Sequence, residues 1–192
     1  NQSVKFRNIC EELRSADVHL FAAAEHNLDT NQFIIRQKLQ DTARKSFPHY
    51  TLQTATSSIP ADHFYKPGGT LILAQGDVVG RINEKASDSL GRWTWIKLVG
   101  RNQKIITLIS AYQVCVRPTK KTGTTAYHQQ ESLLRQKGER KAKPRKFFHG
   151  DLNEFVRICK TRNESIILVG DFNKPMTERS STCLLYTLDA AD

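Results

Sequence analysis

Two short apolar segments, each followed directly by a carboxylate, constrain the fold of this chain more than any other feature. Residues 18–24 lead into Glu25, and residues 165–170 lead into Asp171. Their length and apolar composition are typical of buried β-strands. A side chain at the end of such a strand is held by a rigid sheet, yet it faces solvent at the sheet edge. The pattern therefore predicts two acidic groups at exposed, well-supported positions.

Helix and strand signals alternate between these segments. Apolar residues at helical spacing predict helices at residues 4–15 and 145–162. Thr30 as a cap and Pro48 as a stop predict another helix up to about residue 47, and residues 125–135 are also predicted to be helical. Stretches of β-forming residues bounded by turn residues predict strands at residues 51–56, 70–74, 78–82, 93–99 and 104–112, of which the last two form an antiparallel hairpin. Helices on either side of a β-rich middle predict a mixed α/β domain in which two sheets pack face to face with helices outside.

The chain is strongly basic. Lys and Arg total 29 against 19 Asp and Glu, which gives a formal net charge of +10. This excess favours a polyanionic partner such as nucleic acid, although a merely soluble basic protein fits equally well. The charge is densest at residues 135–146, where Lys143 and Arg145 are candidate contacts to a DNA backbone. The same segment also suits a nuclear localisation patch or a solvated loop between two helices.

Two further observations concern the environment of the protein. No apolar run approaches the roughly 18 to 20 residues of a transmembrane helix, so no membrane partner is predicted. The four cysteines, at positions 10, 115, 159 and 183, contain no C-x-x-C pair. That spacing favours reduced thiols in an intracellular protein and leaves a single disulfide open. With the basic segment, it predicts a nuclear location.

The four residues from Gly170 to Asn173 carry the most specific chemical signal. Glycine permits a tight exit from the strand, an aspartate can accept a proton from water, and an asparagine amide can donate to a phosphate oxygen. Mg²⁺ prefers hard oxygen ligands and often takes only one or two carboxylates together with water and substrate phosphate. Taken alone, the same residues also suit an ordinary turn, because Gly, Asp and Asn are turn formers.

The segments 24–27, 110–112 and 168–173 together resemble the endonuclease/exonuclease/phosphatase superfamily, and most closely the endonuclease domains of non-LTR retrotransposons. The resemblance covers roughly residues 1–175 and implies a four-layer α/β/β/α sandwich of two mainly antiparallel sheets. It also implies Mg²⁺-dependent hydrolysis of a DNA phosphodiester bond. A retrotransposon-type protein would carry a reverse transcriptase downstream.

The resemblance assigns roles to individual residues. Glu25 would bind the metal, Tyr112 would lie beside the scissile phosphate, and Asp171 would orient or deprotonate the attacking water. Asn173 would bind the phosphate, and Asn27 would belong to the substrate-binding surface together with the basic residues named above.

The sequence departs from the family pattern in several places. Ala24 stands where the family commonly has Gln, and Gln113 and the two residues after it stand where a Pro usually follows the Tyr. The six histidines all precede Asp171, whereas the catalytic His of the family follows the Asp-x-Asn segment. We therefore expect these 192 residues alone to be inactive, as a domain truncated at both ends.

The last residues have a different origin in this interpretation. Residues 182–192 resemble the translation of a sequencing adapter, so the predicted domain covers residues 1–181. Two alternatives to a DNA endonuclease stay open: a phosphatase that acts on a small or lipid phosphate, and a non-catalytic nucleic-acid-binding remnant.

Overall fold

A computed structural model describes residues 2–60, 65–116 and 125–174. The predicted tail at residues 182–192 and the predicted domain end at residue 181 lie outside this part. The described helices are α1 Gln2–Ser15, α2 Phe33–Ser46, α3 Ala126–Gln136 and α4 Pro144–Thr161. The described strands are β1 Leu20–Ala24, β2 Tyr50–Ala55, β3 Thr70–Gln75, β4 Ile82–Ser87, β5 Trp93–Val99, β6 Ile105–Tyr112 and β7 Ser165–Asp171.

The strands form two sheets. The first has the order β1-β3-β2 and is antiparallel throughout. The second has the order β4-β5-β6-β7, and in it only the β6–β7 pair is parallel among the described strands. The predicted hairpin is the β5–β6 pair, in which Val99 lies opposite Ile105.

Three apolar clusters define the layers. Helices α1 and α2 pack on one face of the first sheet through residues such as Cys10 and Leu39, which belong to the same buried cluster as Leu73 of β3. The next residue towards the N-terminus, Ile72, points to the opposite face and joins a cluster between the two sheets. Helix α4 covers the far face of the second sheet, where Phe148 belongs to a third cluster. The predicted α/β/β/α sandwich is confirmed.

The prediction of a strand at residues 78–82 was wrong. Gly76–Arg81 form a 3-10 helix, and β4 begins only at Ile82. Gly76 has a φ of +71°, which ends the extended chain of β3. Val78 and Val79 pack against the cluster between the sheets, and this packing explains their apolar character without a strand.

Helix α2 begins later than predicted. Its N-cap residue is Gln32 and not the predicted Thr30, and it starts at Phe33. The preceding turn is held by Asp29, whose Oδ1 accepts the backbone N–H of Asn31 at 3.3 Å. This local bond competes with helical geometry. None of the described helices is long and apolar enough to span a membrane.

Candidate active site

The ends of β1, β6 and β7 meet at one edge of the sandwich. Tyr112 of β6 lies opposite Asp171 of β7 in the parallel register. The Tyr112 hydroxyl crosses to the first sheet and donates to Glu25 Oε1 at 3.0 Å. Two residues earlier in β6, the Ser110 hydroxyl donates to the carbonyl of Ala23 at 3.0 Å. The structure thus brings together three residues that are 59 to 146 positions apart, as their numbers show.

The backbone around Glu25 is held in an unusual conformation. Glu25 and Asn27 both have a φ of 58°, in the left-handed region that residues with a side chain rarely adopt. Backbone hydrogen bonds to Gly69 and Gly68, at 2.7 and 2.9 Å, fix this segment against the start of β3. Such conformations persist only where the surrounding structure enforces them, and they concentrate at functional sites.

The Asn27 side chain is part of this support. Its Nδ2 donates to the carbonyl of Glu25 at 2.8 Å, and its Oδ1 accepts the N–H of Gly68 at 2.9 Å. The predicted role of Asn27 in substrate binding therefore has to rely on the second N–H of the amide. The contacts that the structure contains place Asn27 in the support of Glu25.

Tyr112 acts as a hydrogen-bond donor. Burial raises the pKa of its hydroxyl well above the ordinary value, and the nearby Glu25 carboxylate raises it further. The tyrosine therefore keeps its proton at neutral pH and holds one oxygen of Glu25. Glu25 itself is exposed, and in the described part of the chain Oε2 has no hydrogen-bond partner.

Asn173 lies in a dense set of hydrogen bonds after β7. Its backbone N–H donates to Asp171 Oδ1 at 2.9 Å, and its Nδ2 donates to the carbonyl of Gln113 at 2.7 Å. Its Oδ1 accepts from Cys115 Sγ at 3.1 Å. One N–H of the Asn173 amide is left for a phosphate oxygen, since an amide nitrogen has two.

The two predicted basic contacts differ in their surroundings. Arg145, in the first turn of α4, donates from Nη1 to the carbonyl of Val114 at 2.6 Å and from Nη2 to that of Asn173 at 3.3 Å. It therefore ties the loop after β6 to the loop after β7. Lys143 is the N-cap residue of the same helix, is exposed, and has no side-chain contact of this kind among the described residues.

Sequence reasoning missed Gln113 and His149. The Gln113 side chain is buried, and its Nε2 lies 2.6 Å from His149 Nε2 on α4. Burial lowers the pKa of His149, with smaller contributions from the positive charges of Lys174 and Arg145. The signal in the sequence was Gln113 itself, which stands where the family pattern has a Pro soon after the Tyr.

His26 is partly buried beside the site and is neutral near pH 7. Its Nδ1 accepts the N–H of Leu28 at 3.1 Å, so Nε2 carries the proton and donates to the carbonyl of Ala55 at 3.2 Å. Burial lowers its pKa to about 4. The ring holds the β1 exit loop against the end of β2, and with a pKa of about 4 it does not change its protonation near neutral pH.

This pKa predicts a pH-dependent stability. As the pH falls below about 6.5, His26 is protonated in the unfolded chain before it is protonated in the folded one, so protons favour unfolding. The free energy of unfolding should fall by about 3 kcal/mol between pH 7 and pH 4 through His26 alone. Urea denaturation at both values measures it, and His26→Gln should remove most of this loss. An equal loss in the variant would contradict the assignment.

Comparisons with known proteins concern the fold. No protein-family model and no curated protein sequence matches the chain. The solved structure of beta toxin from Staphylococcus aureus is similar, with a TM-score of 0.54 and 14% identity over 97% of this chain and 64% of the toxin chain. At this identity the likeness shows a shared fold and nothing more.

Two other solved structures are less similar. The human Nocturnin catalytic domain has a TM-score of 0.49 and 14% identity, over 91% of this chain and 59% of that one. ANGEL2, a 2',3'-cyclic phosphatase, has a TM-score of 0.47 and 15% identity, over 95% and 45%. The chain spans less than two thirds of the length of each of these structures.

Proposed function

We propose that the chain carries the catalytic centre of a Mg²⁺-dependent phosphodiesterase of the endonuclease/exonuclease/phosphatase type, with DNA as its substrate. The observation that supports this most is the hydrogen bond from Tyr112 to Glu25, because it joins the two sheets beside Asp171. Two carboxylates, a phenol and an amide at one sheet edge form a set of groups suited to phosphoryl chemistry.

The residues present fit a magnesium ion. Within the described residues, no group of three or more His, Cys, Asp or Glu side chains has metal-binding spacing. Magnesium does not require such a group, since it commonly keeps several waters and takes one or two carboxylates. Glu25 would hold the ion through its exposed carboxylate. When bound there, the ion would neutralise charge that develops on the phosphate and leaving oxygen.

The protein groups would divide the remaining work. Tyr112 keeps the Glu25 carboxylate in one orientation. Asp171 has one oxygen engaged by the Asn173 N–H, which leaves Oδ2 to accept a proton from an attacking water. The remaining N–H of the Asn173 amide would donate to a phosphate oxygen.

DNA is favoured over a small or lipid phosphate because of the net charge of +10. We propose a more specific assignment from the sequence segments alone. The protein would be a retrotransposon-type endonuclease that is followed by a reverse transcriptase and located in the nucleus.

Glu25→Gln tests the proposal. Assayed in the longest natural polypeptide that contains this chain, the variant should need about 10- to 100-fold more Mg²⁺ for half-maximal nicking of supercoiled plasmid DNA. DNA binding in EDTA should be retained. Glu12→Gln, an exposed substitution on α1 with the same change of charge, is the matched control and should behave as wild type.

Three outcomes of this experiment are informative. If the wild-type protein binds DNA but does not nick it, the result would favour the non-catalytic nucleic-acid-binding remnant. Hydrolysis of a small phosphate ester without nicking would favour the phosphatase. Appreciable Mg²⁺-dependent nicking by the 192 residues alone would contradict their expected inactivity.

A further inference from the structure

A polar pocket lies on the side of the sandwich where β2 and β4 are the edge strands of the described sheets. We call it the lateral pocket. It has a volume of about 400 Å³ and is lined by Arg36 of α2, by Thr54 and Thr56 at the end of β2, and by Lys85 of β4. Among the described residues that line it, only Leu52 has a wholly hydrocarbon side chain.

The lateral pocket carries a net positive charge. Among the described residues, the Arg36 side chain forms one long hydrogen bond, from Nη1 to the carbonyl of Thr30 at 3.4 Å. Lys85 is exposed and forms no ion pair within the described part of the chain. Asp88 is the one acid among the described lining residues, and it is already neutralised, since its carboxylate accepts Arg92 Nε–H at 2.7 Å and Nη2–H at 3.0 Å. Both pocket cations are therefore available to an anionic ligand.

Thr56 provides an independent indication of a ligand. The residue is 7% exposed, and its hydroxyl has no hydrogen-bond partner among the described residues. Leaving a buried hydroxyl unpaired costs about 1 to 3 kcal/mol. A ligand with oxygen acceptors, held by two cations, would satisfy this hydroxyl. Phosphate groups have that chemistry.

The topology places one end of this pocket, at Thr56, on the same sheet edge as Glu25. Ala24 of β1 and Ala55 of β2 both lie opposite Thr70 of the strand between them. The chain therefore leaves β1 at Glu25 and β2 at Thr56 along the same sheet edge, about 10 Å apart at the usual strand spacing. That separation equals the axial rise of about three nucleotides in one DNA strand.

We propose that the lateral pocket binds a backbone phosphate of the nucleic-acid strand whose cleaved bond lies at the candidate active site. This inference rests on the proposed function, because that function supplies the strand. Arg36 and Lys85 neutralise the phosphate, and Thr56 donates its unpaired hydroxyl to a phosphate oxygen. The pocket contributes to affinity and leaves the chemistry of the cleaved bond to the other site.

The double variant Arg36→Gln/Lys85→Gln tests the cations. Binding of a duplex oligonucleotide to the 192-residue chain is measured by fluorescence anisotropy in EDTA over a range of salt concentrations. The variant should bind about 10-fold more weakly, and the slope of log Kd against log salt should fall by about 1. The matched control is Arg101→Gln/Lys104→Gln, two exposed cations at the β5–β6 turn, the opposite end of β6 from Tyr112. Equal effects in both double variants would overturn the proposal.

Thr56→Val separates the pocket from general electrostatics. The substitution keeps the shape and removes the unpaired hydroxyl, so the free protein should be at least as stable as wild type in urea. DNA binding should nevertheless weaken by about 3-fold or more without a change of salt slope. Unchanged binding would overturn the assignment of Thr56.

The two proposals can fail separately. In the longest natural polypeptide, hydrolysis of bis(4-nitrophenyl) phosphate should be the same in the lateral-pocket double variant as in wild type. If Glu25→Gln leaves nicking intact, the proposed function fails whatever the binding data show. If the lateral-pocket double variant binds DNA as its control does, while Glu25→Gln impairs nicking, the proposal for the lateral pocket fails and the proposed function stands.

Discussion

Asp171→Asn should lower the rate of Mg²⁺-dependent DNA nicking by about 10²- to 10⁴-fold, the usual contribution of a general base. Asparagine has nearly the same shape, and its Oδ1 can still accept the N–H of Asn173, so the loop after β7 should keep its conformation. What is lost is the oxygen that takes the proton from water. Initial rates of plasmid nicking in the longest natural polypeptide measure the effect, with DNA affinity measured in parallel.

The control for this substitution is Asp41→Asn on α2. Asp41 forms an exposed ion pair with Arg44 at 3.0 Å, a kind of pair that contributes little to stability. Both variants remove one negative charge, so a general electrostatic effect on DNA binding would appear in both. A fall of less than 10-fold for Asp171→Asn would remove Asp171 from the proposed role of base.

Gly170→Ala should destabilise the fold by about 4 kcal/mol or more, in the range reserved for severe core defects. An added Cβ would overlap the carbonyl oxygen of Ala111, and Gly170 has a φ of +148°. The clash involves the backbone of a paired strand, so no side-chain rotation can relieve it. Thermal and urea denaturation of the 192-residue chain measure the loss.

Gly150→Ala is the matched control. Gly150 is exposed on α4, and an added Cβ there would have nothing within 4 Å. This variant should be stabilised by about 0.5 to 1 kcal/mol, because alanine favours the helix. A Gly170→Ala protein within about 1 kcal/mol of wild type would show that β6 and β7 separate more readily than the close contact implies.

The fold was predictable where local sequence patterns indicate helices and strands. The strand predicted at residues 70–74 is present as β3, and because neighbouring side chains of a strand point to opposite faces, Leu73 and Ile72 belong to different clusters of the sandwich. The same type of signal failed at Val78 and Val79, where apolar side chains serve the core from a 3-10 helix. Periodicity reports burial, and it identifies a strand only when the backbone is also free to extend.

The candidate site was predictable in a different way. The position of Glu25 and Asp171 at strand ends follows from the sequence, whereas their approach across two sheets required the family resemblance. The contacts of Arg145 followed from neither source, because they join carbonyls of two loops whose proximity depends on how α4 packs. Charge density alone assigned that side chain to DNA. The catalytic and binding roles of all these residues stay predictions until the variants are measured.

The hydroxyl of Tyr112 links a strand end of one sheet to a carboxylate of the other, and this has a thermodynamic corollary. Any ion or substrate that touches both Glu25 and Asp171 can bind only while the two halves of the sandwich remain associated. By mass action such a ligand, at 100 times its Kd, raises the free energy needed to separate the two sheets by about 2.7 kcal/mol. Ligand binding at the candidate active site and the association of the two sheets would then be thermodynamically coupled.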